Sequence, residues 1–122
     1  PLYEDKEIAL LDTHYYGGIK PYQWVTLPMA LHGVVCKKDG TKVNINIGEK
    51  DDEPVFFVSD LLIHLAQDQM TKEASKVVEG EALDIIIGNM PLSVKATKGE
   101  NKEDIKDPVM KNILSILDKN AP

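Results

Sequence analysis

Leu31-His32-Gly33-Val34-Val35-Cys36, then Asp39-Gly40, then Val43-Asn44-Ile45-Asn46-Ile47: this stretch decides the fold. Val43, Ile45 and Ile47 alternate strictly with Asn44 and Asn46, which puts apolar side chains on one face of a half-buried strand and amides on the other. Asp39-Gly40 between two β-branched runs is a tight hairpin signal. The sheet is therefore expected to be antiparallel.

Upstream, Trp24-Val25-Thr26-Leu27 favours a further strand, broken by Pro28, which cannot donate to a ladder. Earlier still, Ile8-Ala9-Leu10-Leu11 and the aromatic stretch Thr13-His14-Tyr15-Tyr16 are interrupted by Gly17-Gly18. Downstream, residues 48–53 read as an acidic loop and Val55-Phe56-Phe57-Val58 as a strand that feeds a helix. Ser59 is the expected N-cap of that helix, with Asp60 at its positive end. Leu61, Leu62, Ile63, Leu65 and Ala66 then form one broad apolar side, with His64 on the polar side. A second short helix is expected over 71–78, and strand character returns at 82–87. Residues 93–107, rich in lysine and acid, read as a solvated loop. Asp107-Pro108 opens a last helix, Asp107 as cap and proline in the first turn, with Val109, Met110, Ile113, Leu114 and Leu117 on its apolar face. The sum is an α+β fold: an antiparallel sheet, or open barrel-like β-structure, with two or three flanking helices.

With 122 residues, 43% hydrophobic and 28% charged, the chain has the balance of one globular domain. Its apolar runs are too short to span a bilayer, so no membrane partner is expected. A net charge of −6 argues against nucleic acid, whose phosphates need a basic face. The single cysteine, Cys36, fits a reducing cytoplasm. A chain that begins at Pro1 without methionine is expected to be an excised or processed piece.

Chemistry is sparse. His14, His32 and His64 share no spacing that binds zinc from one helix face. There is no phosphate-cradling loop and no nucleophile elbow. Cys36 reads as a small strand side chain. His32 is expected on the outer face of the sheet, and His14 in the packing of the aromatic stretch. Acidic pairs such as Asp51-Asp52 and Glu79 with Glu81 read as solvated charge. The residues alone describe a soluble α+β module without a self-contained active site.

Three segments add a resemblance. Pro1-Leu2-Tyr3-Glu4-Asp5, Thr13-His14-Tyr15-Tyr16-Gly17-Gly18-Ile19-Lys20 running on through Trp24 to Leu31-His32-Gly33-Val34-Val35, and Pro54-Val55-Phe56-Phe57-Val58-Ser59-Asp60-Leu61-Leu62-Ile63-His64-Leu65 resemble the middle domain of M18 zinc aminopeptidases. In that family a metallopeptidase domain is interrupted by a smaller inserted domain, which makes the dimer contacts of a tetrahedral dodecamer. The resemblance implies that residues 1–122 are that insertion, a single dimerisation and regulatory domain. The zinc ligands of the two-metal site and the general base would lie outside this chain, which would hold no metal and be inactive alone. It further implies that His64, in Leu-x-x-His-Leu, reaches the neighbouring subunit's active site to bind peptide substrate and stabilise the transition state. The alternative reading is a free-standing module that binds a peptide or protein along a sheet edge, near the Asp39-Gly40 hairpin.

Overall fold

A computed structural model describes residues 1–92 and 106–120. The chain opens with a hairpin of β1 (Leu2–Asp5) and β2 (Ile8–Leu11), antiparallel with Leu2 opposite Leu11. β5 (Ile85–Gly88) pairs antiparallel with the far edge of β2, giving a three-stranded sheet in the order β1-β2-β5. β3 (Leu31–Cys36) and β4 (Lys42–Ile47) form a separate antiparallel ribbon. The Asp39-Gly40 turn is where the sequence puts it. Gly40 donates to the Lys37 carbonyl at 3.0 Å and adopts φ +87°, the left-handed conformation that glycine takes without penalty. Ile45 and Ile47 are buried, Val43 is half-buried, and Asn44 and Asn46 are exposed, as the alternation requires.

The expected strand at 55–58 is realised as a joint between the two sheets. Phe56 exchanges both backbone hydrogen bonds with Met29, just upstream of β3, at 2.8 and 3.1 Å. Phe57 does the same with Ile86 of β5, at 2.8 and 3.4 Å. Adjacent residues of one short segment therefore hydrogen-bond to different sheets, and the core collects around it: Ala9, Ile45, Ile47, Phe56, Ile87 and Val109. Gly48 ends β4 at φ +107°, with the Ala30 Cα and the Pro54 carbonyl oxygen each 3.1 Å from where a Cβ would sit. Only glycine lets the chain turn there beneath the joint.

Helix α2 (Pro108–Asn120) covers the three-stranded sheet. Proline stands in its first turn as expected and the Asp107 carbonyl accepts the first helical bond, from the Lys111 amide at 3.1 Å, but the capping side chain is Glu4 rather than Asp107. Asp107 sits at φ +52°, and the N-terminal amides of Val109 and Met110 both donate to the Glu4 carboxylate of β1, each at 2.9 Å. A carboxylate at this end satisfies two orphan amides and the helix dipole together. Glu4→Ala is expected to cost about 1 kcal/mol, and Glu4→Gln a fraction of that, in urea unfolding. On the apolar face of α2, Val109 is buried and Met110, Ile113 and Leu117 are half-buried, but Leu114 is 48% exposed.

Three other expectations are corrected. Trp24 to Leu27 is not a strand: it follows a 3-10 turn at Pro21–Gln23 and makes a single parallel bridge, Val25 to Val58. The helix expected from Asp60 shrinks to α1 (Gln67–Met70), and 71–78 is turns and bends. The loop expected at 93–107 falls mostly outside the described residues. The α+β class, with antiparallel sheets and two helices, stands.

Candidate functional site

The segment around His64 is an exposed loop clamped at both ends. Val58 is buried before it and Ala66 after it. Between them the chain makes a turn in which the Leu65 amide donates to the Leu62 carbonyl at 2.8 Å and Ala66 to Ile63 at 3.3 Å. Asp60, rather than Ser59, is the local acceptor: its Oδ1 receives the Leu61 amide at 2.8 Å and the Gln69 side-chain amide at 3.2 Å. Met70 closes α1 onto the Ala66 carbonyl at 2.9 Å.

The expected burial of Leu61, Leu62, Ile63 and Leu65 is overturned. All four are more than half exposed, Ile63 the most at 69%, and only Ala66 is buried. His64 is exposed among them. It does not stand opposite a leucine core on a helix. It projects from a loop whose apolar side chains also face outward.

The other sequence candidates are scattered. His14 Nδ1 lies 2.9 Å from the Glu81 carboxylate and its ring stacks on Tyr15, so it belongs to the aromatic stretch as expected. Thr13 in the same stretch donates its hydroxyl to the Leu83 carbonyl at 2.7 Å. His32 lies on the outer face of the ribbon, its Nε2 2.9 Å from Glu49, which also accepts from Asn46 at 3.2 Å. Cys36 is exposed on β3. Among the described residues no three His, Cys, Asp or Glu side chains come together to hold a metal. A cleft of about 430 Å³ between β5, α2 and residues 54–57 is lined by apolar side chains and two asparagines, Asn89 and Asn112, with no titratable group.

The group furthest from its ordinary protonation behaviour was not visible in the sequence. Tyr3 on β1 donates its hydroxyl to the Asp84 carboxylate at 2.6 Å. That hydrogen bond, with desolvation and the negative charge of Asp84, pushes the phenol up to about 12. The folded pKa lies above the unfolded value of about 10, so this contribution to stability is complete below pH 10. It is lost as pH rises from 10 through 12. Tyrosinate absorbance is expected to show one of the four tyrosines titrating late, and Tyr3→Phe to remove that phase and flatten the alkaline loss of stability. The pair ties β1 to the approach of β5 and is structural.

The described residues thus form an α+β unit with one exposed histidine in an apolar loop and no assembled catalytic cluster. The family model for aminopeptidase I zinc metalloproteases (M18) matches residues 2–121. A probable M18 family aminopeptidase 1 of Clostridium acetobutylicum is 60% identical over 111 residues, covering 91% of this chain and 23% of that protein. The crystal structure of the M18 aminopeptidase of Thermotoga maritima superposes with a TM-score of 0.78 at 44% identity, over 98% of this chain and 24% of that one. Aminopeptidase I of Clostridium acetobutylicum gives 0.75 at 55% identity, again over 98% and 24%. The chain belongs to the M18 family. It spans about a quarter of the length of the relatives it matches.

Proposed function

We propose that residues 1–122 are the dimerisation and site-completing domain of a cytoplasmic zinc aminopeptidase that removes N-terminal amino acids from peptides. The observation that carries this reading is the loop at 61–65, which exposes His64 and four large apolar side chains at once. Isolated exposed hydrophobics are ordinary, but a contiguous run bracketed by buried anchors marks a contact surface. Membership of the M18 family, with coverage of only a quarter of its relatives, supplies the rest of the enzyme.

Zinc does not fit the described residues of this chain, which offer no cluster of ligands. The metal belongs to the remaining part of the protein, and this chain's share of catalysis is positional. His64 would carry an imidazole N–H across a twofold contact into the neighbouring subunit's active site. There a hydrogen-bond donor aimed at developing negative charge stabilises the transition state more than the bound peptide. The assembly would be a homodimer and, in the intact enzyme, a dodecamer.

The test compares two proteins. The full-length enzyme is expected to hydrolyse aminoacyl substrates with zinc, and residues 1–122 alone to show no turnover with zinc, manganese or cobalt. Metal-dependent turnover by the 122-residue chain, or none by the full-length protein, overturns the reading.

A further inference from the structure

Among the described residues four that are not glycine adopt positive φ, and three of them have a local reason. Lys6 and Glu7 are the two residues of the β1–β2 hairpin loop, whose favoured turn needs positive φ at both. Asp107 is of a residue type that tolerates the left-handed region. Thr26, at φ +62°, has no such reason. Its Cβ is branched, it lies in no hairpin loop, and its exposed side chain makes no hydrogen bond among the described residues. Strain of this kind persists only where the surrounding structure imposes it, and it gathers where function needs a fixed geometry.

The hydrogen bonds on either side show what imposes it. The Met29 amide donates to the Phe56 carbonyl, and three residues earlier the Thr26 amide donates to the Val58 carbonyl, each at 2.8 Å. Leu27 and Pro28 thus stand opposite Phe57 alone, the two-against-one count of a β-bulge, a feature that re-aims the chain beside active sites. With Met29 fixed on Phe56, the left-handed turn at Thr26 faces its N–H to Val58. The acceptor oxygen belongs to the peptide group between Val58 and Ser59. That group is planar, so holding its oxygen sets the direction in which the chain leaves buried Val58 for the exposed loop that carries His64. Buried Ala66 anchors the far end of the loop, and Thr26 holds the near end.

We infer that Thr26 is a positioning residue for His64: its left-handed backbone fixes the first peptide plane of the loop and so aims the imidazole. Its part is played through the loop and not on substrate. The strain is retained because a relaxed backbone at this position would turn the amide away from Val58 and leave the loop held at one end only. The inference deepens the site-completing reading above and rests on it.

The experiment is steady-state kinetics of the full-length enzyme on an aminoacyl substrate, at equal folded fraction and zinc content, crossing variants of Thr26 with His64→Ala. Thr26→Gly keeps the left-handed backbone without steric penalty, and as the conservative variant is expected to hold kcat within about twofold. Thr26→Ile keeps the N–H but adds bulk to the branched Cβ, and is expected to lower kcat about threefold with KM little changed. Thr26→Pro fixes φ at about −65° and removes the N–H, and is expected to lower kcat at least about tenfold. Added to His64→Ala, neither the isoleucine nor the proline should lower kcat further, since residues that act as a unit are not additive. A purely structural Thr26 would change stability in the same order and leave kcat per folded molecule intact. Equal kcat for threonine and isoleucine at this position overturns the inference, and so do losses that multiply with that of His64→Ala. Should Thr26→Pro not fold, the isoleucine variant and its combination with His64→Ala decide alone. A loss in His64→Ala that multiplies with those at Thr26 leaves the reading of His64 standing, whereas full activity in His64→Ala overturns both.

Discussion

His64→Ala in the full-length enzyme proposed above is expected to lower turnover about a hundredfold, the usual effect of removing one transition-state hydrogen-bond donor. Catalytic efficiency should fall with it, since an interaction made mainly in the transition state lowers both, whereas uniform binding would raise KM alone. Folding should not be at issue. The residue is exposed in a loop fixed by Val58, Asp60 and Ala66, none of which touches its ring in any hydrogen bond. Truncating it opens no cavity, so stability should move by about half a kcal/mol. Zinc content and oligomer size should be unchanged. Mixing gives the sharper readout. Subunits lacking His64 and subunits lacking the general base of the catalytic domain should partly rescue one another, because one composite site forms per mixed dimer. Full activity in His64→Ala, or mixing that never restores any, reduces the histidine to a solvated surface residue.

The exposure of that loop also explains where sequence reading succeeded and failed. Residues 61–66 have helical periodicity, yet the chain forms only one turn, at Gln67–Met70. A short helix is marginal unless its apolar face packs, and Leu61, Leu62, Ile63 and Leu65 all stay more than half exposed. Periodicity announces an apolar face without saying who covers it. The β4 alternation was legible because its partner faces are supplied locally, by β3 across a five-residue connection and by Phe56 nine residues on. The cap of α2 was illegible for the opposite reason: Glu4 comes from the other end of the chain, and local rules pointed to Asp107. His64 was legible from its residues only as an exposed histidine. Its proposed role came from the resemblance.

The same distinction between supplied and unsupplied partners sets the largest stability effect. Phe56 and Phe57 are adjacent, both are bridged by backbone hydrogen bonds, and their side chains go to opposite sides. Phe56 is 6% exposed and packs in the cluster with Ile45, Ile47, Ile87 and Val109; Phe57 is 40% exposed. Phe56→Ala removes the ring on which the ribbon and the three-stranded sheet converge. It is expected to cost about 3–5 kcal/mol, combining lost transfer energy with an unfilled cavity. That is a large share of the roughly 5–15 kcal/mol available to a natural domain, so the variant should unfold at much lower urea with its m-value intact. Phe57→Ala leaves the same backbone bridge to Ile86 and empties a site already open to solvent, so about 1 kcal/mol is expected. Because the two rings have the same chemistry, the difference isolates burial at the joint. Equal losses for the two variants would mean that the sheets are held together elsewhere, through α2 and its Glu4 cap rather than through residues 56–58.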